Sequence, residues 1–289
     1  MKNICGKKAI VTGAASGIGR AIALALADQG ADLFLVDIDD TALAKTVAEA
    51  AAHGVEVIGT RCDVTSQDEI ARAVEKLLER WGYVDILINN AGVAYYGPTD
   101  RMTSAQWTWL MNINLMAPIH LTSRLLPTLL SRPDAHVLNV CSISGLVAGG
   151  RFTAYHVSKF GLVGFTEALR AEYGRRGLGV TALCPGPVRT KLYTSAISGK
   201  KDKPVPSPPA WICTTEEKVA VAAMKALHRN SRMVLLTPLA HVVWNVKKFA
   251  PWLLDWMNHL GRKKKRKQIA ADQMSHTDQN GSKSRSRAA

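Results

Sequence analysis

The sequence predicts an α/β fold: a doubly wound parallel sheet of about seven strands in a single domain, with amphipathic helices appended behind it. Three observations predict it. Short apolar runs alternate with longer segments of helical periodicity as far as residue 236, the pattern of parallel strands joined by right-handed crossovers. The first strand leads through a glycine-rich turn into a helix. Residues able to do chemistry recur just past strand ends, the edge where open α/β sheets bind ligands.

The first strand covers 9–12, and Thr12-Gly13-Ala14-Ala15-Ser16-Gly17-Ile18-Gly19 opens a helix over 20–27. In that context glycines let a backbone approach a pyrophosphate, and a helix N-terminus offers it free N–H groups. Gly13, Ser16, Gly17, Ile18 and Gly19 are therefore candidate dinucleotide-binding residues, although the spacing also suits a structural turn. The second strand, 32–36, ends in Asp37, 18 residues past Gly19. A carboxylate there can accept from a ribose 2′-hydroxyl and repels a 2′-phosphate. Asp37 thus points to NAD over NADP, or else caps the helix that follows over 41–52.

A third strand, 56–61, runs into Cys62-Asp63-Val64, and Ile70, Ala73, Val74, Leu77 and Leu78 mark a helix over 67–81. The strand 84–88 meets Asn89-Asn90-Ala91-Gly92, small and amide residues that suit a ligand-facing backbone or a turn. A long apolar-periodic segment, 107–130, carries Asn112 and Asn114. A mid-helix Asn competes for the backbone and is locally unfavourable, so each is exposed, satisfied in the core, or there for a reason. The strand 135–141 ends at Ser142, and Tyr155, 13 residues on, opens a helix over 152–174. The strand 179–184 runs into Pro185-Gly186-Pro187-Val188-Arg189-Thr190 and then a Pro-rich flap over 190–214. Thr215 caps a helix reaching His228, and 233–236 reads as a last strand.

Tyr155 and Lys159 are four residues apart, which on a helix places them on one face a turn apart. A phenol with a pKa of about 10 is a poor base at neutral pH, and a cation beside it favours the phenolate. The pair makes a general acid/base for an alcohol or carbonyl oxygen. Tyr-x-x-x-Lys alone is common by accident. What gives it weight is that Ser142, at a strand end, and Tyr155, at the following helix start, reach the same sheet edge as the glycine turn.

The 289 residues are 47% hydrophobic, ordinary for a globular chain with a large core. Five scattered cysteines, none at Cys-x-x-Cys spacing, point to reduced thiols in the cytoplasm rather than to disulfides or a zinc site. The first residues lack the apolar core of a signal peptide, and no apolar run is long enough to span a bilayer. Of the net charge of +14, half lies beyond residue 261, where nine Lys/Arg face two Asp.

With these residues in view, the chain resembles the short-chain dehydrogenase/reductase family over about residues 4–236. The turn Thr12 to Gly19 resembles the family's cofactor turn, and Asp63-Val64 its adenine-contacting pair. Asn89-Asn90-Ala91-Gly92 resembles its sheet-stabilising motif, and Pro185-Gly186 the segment beside the nicotinamide. Asn114, Ser142, Tyr155 and Lys159 match its catalytic tetrad without departure, while Cys141 stands where many members have a second Ser. The resemblance implies a Rossmann-type catalytic domain over 1–237 that includes the flap, and a dimer or tetramer. It implies cofactor contacts from Asn90, Ala91, Gly92, Val188 and Thr190 as well as from Tyr155 and Lys159. It further implies that Tyr155 exchanges the alcohol proton, Ser142 orients the substrate oxygen, Lys159 holds the nicotinamide ribose, and Asn114 holds a water linking Lys159 to solvent. No metal is needed, because the cofactor carries the hydride chemistry.

Residues 238–261 lie beyond the resemblance. Leu239, Val242, Val243, Val246, Phe249 and Ala250 fall at helical spacing, Pro251 starts a second helix with Leu253, Leu254, Met257 and Leu260, and Gly261 stops it. Trp244, Trp252 and Trp256 lie here, Lys247 and Lys248 sit opposite the stripe, and a basic run 262–267 follows. This suits a helical lid or oligomer contact, or a peripheral anchor to an anionic membrane surface; nucleic acid is not the expected partner. Residues 262–289 read as a basic, disordered tail. The expected activity is hydride transfer between NAD(H) and a secondary, lipophilic alcohol or ketone. The alternatives are an NADP-dependent carbonyl or 3-oxoacyl reductase and a non-catalytic dinucleotide-sensing protein.

Overall fold

In the computed structural model, residues 1–190, 192, 196–199, 205–254 and 256 are described. The chain divides into two compact units, Met1–His241 and Val242–Ala289.

The first unit is built on strands β1 (Lys8–Thr12), β2 (Asp32–Asp37), β3 (Val57–Arg61), β4 (Ile86–Asn89), β6 (His136–Val140), β7 (Gly179–Cys184) and β9 (Met233–Leu235). They form one seven-stranded sheet in the order β3-β2-β1-β4-β6-β7-β9, every pair parallel. This is the predicted doubly wound sheet. Every residue of β4, β6 and β7 is buried, as expected of central parallel strands covered on both faces. Successive side chains of a strand point to opposite faces, and β1 sorts its residues accordingly. Ala9 and Val11 join the core with α1 (Gly17–Asp28), α2 (Asp40–Ala51) and α7 (Glu216–Arg229), whereas Ile10 joins the core with α3 (Gln67–Trp81) and α5 (Ala117–Leu130). The chain moves outward from β1 to β3 and then returns to the other side of β1 for β4. The carboxyl ends of β1 and β4 therefore flank the topological switch point, where such sheets open a crevice.

Helix ends follow their sequence signals. Ser66 accepts from the Glu69 N–H to start α3, and Gly82 ends it at φ 74°. Thr215 accepts from the Lys218 N–H at the head of α7. The apolar segment 107–130 is not one α-helix, as its periodicity suggested. It consists of α4 (Ser104–Met111), a π-helical turn (Asn112–Met116) and α5. A second difference is a small parallel sheet of β5 (Tyr95–Tyr96) with β8 (Ile197–Ser198), inside the stretch expected to be irregular. The last strand stops at Leu235, one residue short of the expected end.

The remaining long elements are α6 (Thr153–Tyr173) and α8 (Pro238–Phe249). In the second unit, residues 251–254 and 256 are helical and Phe249, Trp252 and Trp256 are exposed. The rest of the expected second helix, including Met257, Leu260 and Gly261, and the tail 262–289 lie outside the described residues.

Candidate active site

The glycine turn is shaped by close packing. A Cβ on Gly13, which sits at φ 66°, would lie 2.8 Å from Asn90 Nδ2 and 2.9 Å from the Ala91 Cα. One on Gly19 would lie 2.1 Å from the Gly13 carbonyl oxygen. Only glycine lets β1, the turn and the end of β4 close on one another here. Asn90 knits the two strand ends, its Nδ2 donating to the Thr12 and Gly13 carbonyls at 2.9 and 3.1 Å. Thr12 Oγ1 accepts from the N–H groups of Asn90 and Ala91.

At the head of α1 the Ser16 side chain makes no capping bond, and the first turn carries no acidic residue. The leading N–H groups are thus left for an anion, which a helix N-terminus favours. Asp37 accepts from the Ala15 N–H at 2.8 Å through Oδ2 and from the Asp39 N–H at 3.0 Å through Oδ1. Its carboxylate is fixed beside the turn, and the cap of α2 is Asp39. Asp63 Oδ1 accepts from the N–H and hydroxyl of Thr65. These features fit a dinucleotide: uncapped N–H groups, a cradle that a Cβ would fill, and a fixed carboxylate.

Ser142 follows β6, and its Oγ accepts from the Ser144 N–H at 3.1 Å, which leaves its own O–H to donate into the cavity. The Ile143 N–H donates to the Pro185 carbonyl at 2.9 Å and ties the loops after β6 and β7 together. A Cβ on Gly145 would lie 2.5 Å from the Lys159 carbonyl oxygen, so this loop rests directly on α6. Tyr155 lies in the first turn of α6. Phe152 stands at 6.3 Å from its ring and 4.9 Å from that of Tyr96, centre to centre.

Lys159 is 4% exposed, and its Nζ donates to the Val140 carbonyl at 2.8 Å and lies 5.8 Å from the centre of the Tyr155 ring. Burial pushes its pKa down, opposed by the neighbouring Cys141 and Cys184. The carbonyl at the end of β6 thus holds the ammonium nitrogen at one place next to the phenol.

One cavity of about 380 Å³ joins these groups. Its lining includes Gly13, Ser16, Gly17, Ile18, Asp37, Asp63 and Val64, then Asn90, Ala91 and Gly92, and also Ser142, Tyr155, Lys159, Pro185, Gly186, Val188 and Thr190. Two residues expected at the site do not line it. Gly19 packs beneath the turn instead. Asn114, fully buried in the π-helical turn, spends both amide protons on protein, donating to the Val93 carbonyl at 2.9 Å and Ser158 Oγ at 3.1 Å. Its Oδ1 accepts from the Val93 N–H at 2.8 Å. The Asn114 side chain is therefore a clamp on the strand end after β4, and it orders Ser158, which donates to the Tyr155 carbonyl.

Asn89, the first residue of the expected sheet-stabilising motif, opens a buried polar chain whose other members the sequence did not reveal. Asn89 Nδ2 donates to Thr122 Oγ1 and to Asn139 Oδ1, and Asn139 Nδ2 donates to Thr166 Oγ1, which donates to the Leu162 carbonyl. It links β4, α5, β6 and α6. Asn139, an amide inside the apolar strand 136–140, was a second available signal beside Asn89.

Residues 7–201 match the family model described as short chain dehydrogenase. The chain is 40% identical over 196 residues to the CLA biosynthesis dehydrogenase/reductase of Lactiplantibacillus plantarum, covering 67% of this chain and 68% of that one. It is 36% identical over 196 residues to oxidoreductase UcpA of Salmonella typhimurium, covering 68% and 74%. Among solved structures, a short-chain dehydrogenase/reductase from Burkholderia phymatum in complex with NAD superposes with a TM-score of 0.79 at 28% identity, covering 88% of this chain and 97% of that one. An actinorhodin polyketide ketoreductase variant with NADPH superposes with a TM-score of 0.72 at 29% identity, covering 82% and 98%. The fold and the site define a dinucleotide-dependent oxidoreductase. The chain belongs to the short-chain dehydrogenase/reductase family and is an NAD(P)-dependent dehydrogenase/reductase.

Proposed function

We propose that the protein transfers hydride between NAD(H) and a secondary, lipophilic alcohol or its ketone. The observation that carries this is a single one: Ser142, Tyr155 and Lys159 line the same cavity as the glycine turn and Asp37. When bound, the dinucleotide supplies the hydride acceptor or donor. The glycine turn, Asp37, Asp63-Val64, Asn90 to Gly92 and the Pro185–Thr190 segment are the residues to hold it. Ser142 donates to the substrate oxygen and orients it. Tyr155 takes the alcohol proton during oxidation and returns it during reduction, and the ammonium of Lys159 favours its phenolate. Asn114 serves this reading as a positioning residue through Val93 and Ser158.

NAD is favoured by Asp37, whose carboxylate is held at the turn by two backbone N–H groups and would repel a 2′-phosphate. A lipophilic substrate is favoured by the apolar Val93, Ala94, Ile143, Phe152 and Leu192 in the cavity lining. An absorbance screen at the NADH band, with apolar secondary alcohols and each dinucleotide, tests both points. Turnover with NAD supports the proposal, turnover with NADP alone returns the protein to a carbonyl or 3-oxoacyl reductase, and none at all to a dinucleotide sensor.

A homodimer or homotetramer is supported by an outward stripe on α6, where Val157 (46% exposed), Phe160, Gly164 and Ala168 follow one another at helical spacing. Five free cysteines suit work in the cytoplasm. Among the described residues no helix is long and apolar enough to cross a membrane. Exposed Phe249, Trp252 and Trp256 beside Lys247 and Lys248, followed by the basic run in the sequence, support contact with an anionic membrane surface through 238–267. Pelleting of the full chain with anionic vesicles, lost when Trp252 and Trp256 are both changed to Glu, supports the surface contact. Equal pelleting leaves a lid or an oligomer contact.

A further inference from the structure

His156 follows Tyr155 in the first turn of α6, and its ring bonds both ends of the loop that leaves β6. Nδ1 lies 2.9 Å from the Ser144 carbonyl oxygen, and the Gly149 N–H donates to Nε2 at 3.0 Å. An amide N–H can only donate, so Nε2 is the acceptor, and the ring is neutral with its proton on Nδ1, donated to Ser144. Beyond Gly149 the loop is next held at Arg151, whose carbonyl accepts from the Gly97 N–H at 2.8 Å. Gly149 and Gly150 are exposed, a Cβ on Gly150 would meet nothing within 4 Å, and Arg151 sits at φ 73°. At the near end the Ser144 N–H donates to Ser142 Oγ, and Ser142, Ser144 and Tyr155 line the cavity together. One imidazole thus ties the helix that carries Tyr155 to the strand end that carries Ser142.

We propose that His156 is a positioning residue: in its neutral form it latches the Ser144–Gly149 loop onto α6 and so sets Ser142 against Tyr155. This rests on the assignment of Ser142 and Tyr155 as the pair that meets the substrate oxygen. Protonation puts a donor at Nε2 against the Gly149 N–H, so acid opens the latch. Burial pushes the pKa of His156 below 6.5, opposed by the bond to Ser144, and no charged side chain takes part. The charged or titratable residues nearest to it along the chain are Tyr155 and Lys159 on α6 and Arg151 at the loop end. Lys159 is committed to Val140, and the Arg151 guanidinium stands over the Tyr96 ring at 5.7 Å.

Hydrogen exchange of the amides over 144–150 tests the latch, compared between wild type, His156→Leu and His156→Gln, the last neutral at every pH. Wild type is expected to protect the Gly149 amide near neutral pH and to lose that protection as the pH falls below 6.5. H156L is unprotected throughout, and H156Q shows no pH dependence. Ketone reduction follows the same pattern, since there Tyr155 enters protonated and acid does not disable it. In H156L kcat falls about tenfold or more while NADH affinity holds, the scale on which small misplacements of reacting groups act. Circular dichroism at each pH separates loop opening from unfolding. Equal protection of Gly149 in wild type and H156L overturns the latch whether or not a ketone is turned over. Loop opening in H156L with an unaltered kcat overturns the positioning role. A wild type that reduces no ketone while Gly149 behaves as predicted overturns the catalytic assignment rather than the latch.

Discussion

At the scale of single residues, the proposed chemistry turns on a buried ammonium and a phenol four positions away. Lys159 is held by the Val140 carbonyl, so Tyr155→Phe removes the proton carrier without disturbing what orders it. Turnover is expected to fall by about a thousandfold, within the range for loss of a general acid/base, with NADH binding retained by fluorescence titration. Asp37→Ala removes an acceptor for a ribose hydroxyl and a charge that repels a 2′-phosphate. The ratio of kcat/KM for NAD over NADP is expected to drop about tenfold or more. Tyr155, Lys159 and Ser142 were legible in the sequence because a helix fixes its four-residue spacing and a strand end fixes its edge. The task of the Asn114 amide was not legible, because its partners Val93 and Ser158 are remote in sequence and are set by tertiary packing. His156 was illegible for a different reason: its partners are close in sequence but are loop backbone, which no side-chain pattern marks.

At the scale of elements, the cavity depends on two tight joins. A methyl group on Gly19 would overlap the Gly13 carbonyl, so Gly19→Ala must shift the turn against α1. Dinucleotide affinity is expected to fall about tenfold or more, measured by NADH titration, although Gly19 itself does not line the cavity. The polar chain from Thr122 to Thr166 is the second join. Asn89→Ala strips Asn139 Oδ1 and Thr122 Oγ1 of a buried donor. A loss of about 1–3 kcal/mol in urea unfolding is expected, the cost of unsatisfied buried groups. Strands and major helices were readable from period alone, since apolar runs and stripes of helical spacing follow one another along the chain. The π-helical turn was not readable, because one inserted residue barely alters an apolar stripe. The β5–β8 sheet was hidden because two-residue strands carry no period.

At the scale of the whole molecule, acid stability follows from a histidine that the fold keeps neutral. His136 is buried in β6, bonds Thr181 Oγ1 at 2.9 Å through Nε2, and packs so closely that a Cβ on Gly179 would lie 2.2 Å from its Nδ1. Burial pushes its pKa down from 6.5 to about 3. Above 6.5 the ring is neutral folded or unfolded, and there is no effect. Between those values only the unfolded chain takes the proton, so stability falls as the pH drops, by about 1 kcal/mol per unit. The melting temperature should decline more steeply below 6.5 in wild type than in His136→Gln. Net charge and the apolar extension were visible in the sequence, but their partners were not, because partners are chosen by surfaces that composition does not place.

Hydride transfer can be followed through a single atom. A lipophilic secondary alcohol carrying deuterium on its carbinol carbon is incubated with the protein and NAD, and the nicotinamide is examined by proton NMR. Deuterium is expected on the nicotinamide ring with wild type and about a thousandfold less with Tyr155→Phe, whose site is expected still to bind the dinucleotide. Deuterium appearing at the wild-type rate in the Phe variant would contradict the proposed chemistry.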